Sequence, residues 1–228
     1  MTRVRTATRS AFFASSFAGF LAGLVAREEY GKLRGESDTE LAQVRARFLR
    51  AWTKSQFSLF RIEATFEGAE PYFSSSGATP PGRLFIANHR SAIDILLLLH
   101  MTAGFVVSRA DLANWPLLGY GARRAGTLFV DRKDPKSGAK TIRQMSEKLK
   151  RGHSICLFPE GTTFEGDEVR PFHGGAFLAA KDAGVDVVPI GIAYGEGSQA
   201  AYVGTTFVQH LGRVAASERT PVSVVVGD

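Results

Sequence analysis

Residues 11–26 form an uninterrupted uncharged run, with Arg3, Arg5 and Arg9 before it and Arg27, Glu28 and Glu29 after it. A second pattern covers residues 38–61. There Leu41, Val44, Phe48, Trp52, Leu59 and Phe60 recur at roughly helical spacing, with Arg45, Arg47, Arg50 and Lys54 between them. That spacing predicts a basic amphipathic helix, and Asp38 or Thr39 is placed to cap its start. Residues 74–82, rich in Ser, Gly and Pro, read as a loop. Beyond the loop, short apolar runs alternate with helix-length segments. The runs, residues 84–87, 105–107, 128–130, 155–158, 187–193 and 222–226, predict strands buried on both faces. Residues 136–151, stopped by Gly152, and 174–183, stopped by Gly184, predict helices. The alternation predicts an α/β fold: a mainly parallel central sheet flanked by helices, with an N-terminal two-helix appendage. The expected division is a helical membrane-association segment over residues 1–70 and an α/β domain over 71–228.

A chain of 228 residues can bury a sizeable core. Its formal charge of +6 favours an anionic partner: nucleic acid, anionic lipid or a phosphorylated substrate. Many of the 17 Phe sit in the apolar runs, where a core or a lipid contact wants them. The single cysteine, Cys156, excludes a disulfide within one chain and a cysteine-based metal site. Inside the run Ile155-Cys156-Leu157-Phe158 it reads as a small buried hydrophobe.

The N-terminal run admits three placements. A cleaved leader has the right charge layout but a poor small-x-small site. A full span wants about 20 apolar residues, and this run is shorter. The third placement is a helix that dips into one leaflet or lies at the interface. The neighbouring basic amphipathic helix favours this third placement, its apolar face in lipid and its cations on anionic headgroups.

Four short segments carry candidate chemistry. Asn88-His89-Arg90-Ser91-Ala92-Ile93-Asp94 comes directly after the first strand of the domain, and strand carboxyl ends are where open α/β sheets gather reactive groups. If a helix begins after His89, Asp94 can hold one ring nitrogen as N–H and leave the other free to take a proton. A surface histidine beside a helix cap would share that spacing. Phe158-Pro159-Glu160-Gly161-Thr162 ends another strand in a tight turn with a carboxylate. Gly126-Thr127-Leu128-Phe129-Val130-Asp131-Arg132 ends a third in an acid–base pair. Arg132 there could fork onto a phosphate or form a surface ion pair. Val188-Pro189-Ile190-Gly191-Ile192 is a buried strand whose proline suggests an edge or pocket-lining position.

In order and spacing, these segments resemble the four blocks of the glycerophospholipid acyltransferase family, which includes the lysophosphatidate acyltransferases. The blocks are Asn-His-x-x-x-x-Asp, Phe-hydrophobic-Asp-Arg, Phe-Pro-Glu-Gly-Thr and Val-Pro-hydrophobic. Here they fall at Asn88 to Asp94, Phe129 to Arg132, Phe158 to Thr162 and Val188 to Ile190. The stretch from Arg170 to Phe177 also resembles the family's segment after the third block, so the likeness spans roughly residues 84–193.

The resemblance implies an O-acyltransferase. His89 would be the base and Asp94 its partner. Arg132, Glu160, Gly161 and Thr162 would bind the glycerol and phosphate end of a lysophospholipid acceptor, first of all 1-acyl-glycerol-3-phosphate. The donor would be acyl-CoA or acyl-carrier protein, used as co-substrate with no cofactor, no metal and no covalent acyl-enzyme. The expected surroundings are membrane lipids at the cytoplasmic face of the inner membrane, with no nucleic acid partner.

One position departs from the pattern. The third block of the lysophosphatidate enzymes usually continues with Arg, and here Thr163 stands there. The missing guanidinium removes a bidentate phosphate ligand. Relatives acting on lysophospholipids with larger headgroups or on lyso-ornithine lipid also tolerate Thr there, so the resemblance implies these as alternative acceptors, unless Arg90, Arg109, Arg123 or Arg124 compensates. Gly119-Tyr120-Gly121-Ala122-Arg123-Arg124 lacks the third glycine of a dinucleotide loop, and no Gly-x-Ser-x-Gly elbow is present. A non-catalytic membrane-binding protein is the rival from another class.

Overall fold

The computed structural model describes residues 2–69, 82–166, 168 and 170–227. The expected loop at 74–82, Gly82 apart, and the boundary at 70/71 lie outside the described residues. Helix α1 (Thr2–Leu33) is twice the length of the uncharged run that foreshadows it. By length and composition it is the one described helix able to cross a membrane. Helix α2 (Asp38–Phe60) is capped one residue earlier than expected. Ser37 holds the extended backbone that a cap needs, and Glu40 three residues on completes a capping box: Ser37 Oγ accepts from Glu40 N, and Glu40 Oε2 accepts from Ser37 N at 2.7 Å.

The sheet has seven strands in the order β1-β7-β6-β2-β5-β3-β4. They are β1 (Ile62–Glu67), β2 (Leu84–Ala87), β3 (Phe105–Arg109), β4 (Leu128–Val130), β5 (Ile155–Leu157), β6 (Val187–Tyr194) and β7 (Thr220–Val226). All neighbours are parallel except β6 and β7. The helices are α3 (Ile93–Thr102), α4 (Leu118–Arg124), α5 (Pro135–Lys150), α6 (Gly175–Ala183) and α7 (Phe207–Ala216), with a 3-10 turn at Ala110–Asn114. Six strands lie where the apolar runs place them. Strand β1 was not foreseen, because Ile62–Glu67 alternates apolar and polar residues directly after a helix.

Two expectations about the strands are corrected. Strands β6 and β7 are not buried on both faces. Val188, Ile190 and Ile192 are buried while Pro189, Gly191 and Ala193 are exposed, and Ser223 and Val225 are exposed on β7. Nor is Pro189 on an edge, since β6 pairs on both sides. The proline fits because it sits where β7 runs out. Its carbonyl accepts from Gly227 N at 2.9 Å, one step past the last pair, Ile190 with Val226, so its missing N–H falls at the end of the ladder and costs at most the terminal bond.

Helices α1 and α2 pack on the domain. Phe13, Phe17, Phe20 and Trp52 cluster between them, with Phe20 and Trp52 ring centroids 5.2 Å apart. The apolar stripe of α2 is largely covered by protein, as Leu41, Val44, Leu49 and Phe60 are buried. Two of its expected headgroup-facing cations also turn inward. Arg45 donates to Glu28, a buried carboxylate that Arg124 of α4 holds from the other side at 2.9 Å. Arg50 donates to Met101 O. Buried carboxylates need such partners, and this one pins α1, α2 and α4 together. Within residues 11–26 the outward positions of α1, including Ala11, Phe12, Ala18, Gly19 and Ala22, carry no charge.

Gly121 of α4 is pressed against Phe17 and Leu21 of α1, and any Cβ there would overlap the Phe17 ring. Gly121→Val should therefore overpack this contact at a cost of roughly 1–3 kcal/mol. Thermal unfolding should show a loss of about 2–10 °C in a chain of this size. An unchanged melting temperature would mean that α1 does not seat there.

Candidate active site

The site lies at the carboxyl ends of the parallel strands, the expected place. Strand β2 ends at Ala87 and Asn88 extends its ladder with a side chain. Asn88 Nδ2 donates to Ile192 O at 2.8 Å, and Ile192 N donates to Asn88 Oδ1 at 2.7 Å. This pair of hydrogen bonds to β6 fixes where the chain leaves the sheet. His89 comes next, and Asp94 sits in the first turn of α3.

Asp94 is completely buried and bonded at both oxygens. Its Oδ2 accepts from His89 Nδ1 at 2.9 Å, Arg90 N at 2.7 Å and Ser91 N at 2.8 Å. Its Oδ1 accepts from the Tyr194 hydroxyl at 2.5 Å. Ser91, also buried, turns its Oγ to accept from Ile93 N. The loop thus wraps around the carboxylate, and a surface histidine beside a cap is excluded. The bond at Nδ1 leaves Nε2 as the free ring nitrogen. The ring lies flat on Phe158, centroids 3.8 Å apart, which fixes its plane.

His89 lines a cavity of about 610 Å³, within the range of small-molecule sites. Arg132, Gly161, Thr162, Thr163 and His173 line it near His89; Phe13, Phe17, Phe20 and Trp52 line it between α1 and α2. The lining is mostly apolar, as an acyl chain requires. Arg132 donates to Gly161 O, and burial followed by the charge of Arg109 lowers its guanidinium from the usual value. Gly161 has φ +80°, and both Arg132 and His173 crowd the space a side chain would take, so only glycine fits.

Of the expected site residues, His89, Asp94, Arg132, Gly161 and Thr162 come together here. Glu160 does not face the cavity. It is buried behind His89, its Oε1 accepts from His89 N at 3.3 Å, and its Oε2 lies 3.9 Å from Arg90 Nη1. Burial pushes its carboxyl up, against the His89 bond and the charge of Arg90. Thr163 donates to Tyr202 O. Of the four arginines that could replace the missing one, only Arg109 lines the cavity, where it also pairs with Asp111. Arg90 stacks on Phe164 at 3.9 Å, Arg123 bonds Ala113 O, and Arg124 holds Glu28.

Sequence reasoning missed Tyr194 and His210. His210 is buried on α7, lines the cavity, and lies 3.4 Å from Ser91 Oγ; burial, then Arg213, lowers it to about 4. Tyr194 was readable only as the residue ending an apolar strand, and α7 gave no expected element.

Residues 74–193 match the sequence model of the acyltransferase family, more than half of the chain. The chain belongs to the acyltransferase family. An acyltransferase-family protein of Pseudomonas aeruginosa, a lyso-ornithine lipid O-acyltransferase, is 34% identical over 98% of this chain and 84% of that protein. A 1-acyl-sn-glycerol-3-phosphate acyltransferase of Neisseria gonorrhoeae is 32% identical, over 50% of this chain and 45% of its own length. The family fold is seen in the crystal structure of the 1-acyl-sn-glycerophosphate acyltransferase PlsC from Thermotoga maritima. It matches at TM-score 0.71 and 17% identity, over 100% of this chain and 84% of that one.

Proposed function

We propose that this acyltransferase transfers a fatty acyl group from a thioester to the hydroxyl of a lysolipid, with His89 as general base and Asp94 as its partner. The observation that carries the reading is the His89–Asp94 pair opening on an apolar cavity that reaches the N-terminal helices. His89 Nε2 takes the proton of the acceptor hydroxyl, and the oxygen attacks the thioester carbonyl. The C–S bond breaks, and the departing thiolate takes the proton back from the imidazolium. Transfer is direct. Ser91 is buried with its Oγ accepting from Ile93 N, and burial pushes the Cys156 thiol up to about 12, so neither supplies a nucleophile.

Arg132, Gly161 and Thr162 meet the acceptor headgroup. Glu160 acts one step back, holding the backbone N–H of His89. The donor is acyl-CoA or acyl-carrier protein, and the uncharged outward stretch of α1 within residues 11–26 meets the bilayer from the cytoplasmic side. The acceptor reading is lyso-ornithine lipid. Two things support it: similarity over nearly the whole chain to a lyso-ornithine lipid enzyme, and Thr163, bonded to Tyr202 O, where the resemblance wants a phosphate-binding Arg. A phosphate acceptor is the second reading, favoured by Arg109 and Arg132 on the cavity wall.

A competition assay decides. Purified protein is given labelled acyl-CoA, or acyl-carrier protein, with lyso-ornithine lipid, lysophosphatidate and neutral-headgroup lysophospholipids together. Lyso-ornithine lipid should be preferred in kcat/KM by at least about tenfold, the worth of roughly one charge-assisted bond. Preference for lysophosphatidate would select the second reading. No acylated product with either donor would sink both.

A further inference from the structure

Asp94 has more donors than a catalytic pair needs, and one comes from a distant strand. We infer that Tyr194 is a positioning residue for the transfer: by donating to Asp94 Oδ1 it fixes the carboxylate that orients His89. This rests on the reading of His89 as base.

The geometry is specific. Strand β6 ends at Tyr194, one hundred residues from Asp94, and the central strands bring its hydroxyl to 2.5 Å from Oδ1. The other three donors, His89 Nδ1, Arg90 N and Ser91 N, all fall on Oδ2. Tyr194 is therefore the sole hydrogen-bond donor described at Oδ1. Without it the carboxylate could rock about its Cβ–Cγ bond and carry the imidazole with it. Packing alone would be served by phenylalanine, since the ring only adds to the apolar core. Burial, then the charge of Asp94, raises the phenol well above its usual range, so it stays a donor throughout any assay.

The bond also sets how strongly Asp94 favours a charged His89. A donor on Oδ1 spreads the carboxylate charge and weakens its hold on an imidazolium. Removing the hydroxyl should strengthen that hold, so activity on the acid side should be lost at a higher pH. Other groups face this cluster. Glu160 and Arg90 lie on the His89 loop side, and His210, with Tyr202 stacked on it, lies on the α7 side. His210 is held neutral above about pH 4. Glu160 bonds His89 N and Tyr194 bonds Asp94, so the hydroxyl is removed without breaking the Glu160 bond and the difference between the two proteins reports on Tyr194.

The test is Tyr194→Phe in the full chain, with kcat, KM for both substrates and the pH profile. The expected result is a fall in kcat of roughly ten- to a hundredfold, the worth of a hydrogen bond to a charged group. KM should stay within about twofold, and the acid limb should move to higher pH. Placed on an Asp94→Ala background, the same change should cost no further kcat. Unfolding would not mimic this, because loss of active protein lowers kcat without moving the limb or KM. Wild-type kcat and an unmoved limb, or a raised KM with an unmoved limb, would overturn the inference. His89→Ala is run alongside. If it keeps activity, the base reading fails; if it is inactive while Tyr194→Phe is unaffected, only the role of Tyr194 fails.

Discussion

His89→Ala should lower kcat by about 10²–10⁴, the usual contribution of a positioned general base, or roughly 3–5 kcal/mol of barrier. KM should change little, because the ring is stacked on Phe158 and bonded to Asp94 and is not a headgroup ligand. The folded protein should persist, since His89 lines the cavity wall and does not fill the core. The check is steady-state transfer of labelled acyl groups to the preferred acceptor, beside a thermal melt. Activity within tenfold of wild type, in a protein that melts normally, would remove the base from the mechanism and leave a binding protein. No burst of acylated enzyme should appear in either protein, because no nucleophilic side chain intervenes.

The pairing of His89 with Asp94 is local, five residues apart after a strand end, so the spacing allowed it; a surface histidine beside a helix cap shares that spacing, and the four-block resemblance singled the pair out. Local geometry is what spacing encodes. The same holds for six of the strands, each a compact apolar run whose length marked it as sheet. What the chain did not disclose was non-local. Tyr194 reaches Asp94 from a strand 100 residues away, and His210 reaches Ser91 from a helix 119 residues away. The sheet order, with β6 beside β2, brings Tyr194 there, and the packing of α7 brings His210. Glu160 looked like a cavity residue because a carboxylate after a strand is a familiar ligand. Yet φ +80° at Gly161 turns the chain, and the carboxylate stays behind with His89 N. The apolar stripe of α2 was equally ambiguous, as lipid and a protein core demand the same periodicity. Packing against α1 and the domain settled it.

Asp94→Asn tests the charge while keeping the shape. The amide oxygen should take the place of Oδ2, where two backbone N–H groups and the His89 ring all donate. The amide nitrogen then faces Tyr194, whose hydroxyl can turn from donor to acceptor. The imidazole therefore keeps its orientation, but the imidazolium formed in the transition state loses its counter-charge. Loss of a buried carboxylate from such a pair costs about 10²–10⁴ in kcat, and the two effects on pH must differ in sign. Without the carboxylate a protonated His89 is less favoured, so the acid limb should move to lower pH. Removing the Tyr194 hydroxyl leaves the carboxylate more strongly attractive and should move it to higher pH. One substitution that removes the carboxylate's charge and one that removes its donor, shifting one limb in opposite directions, cannot arise from general loosening of the fold. If both shifted it the same way, Asp94 would not be acting on His89 through its charge.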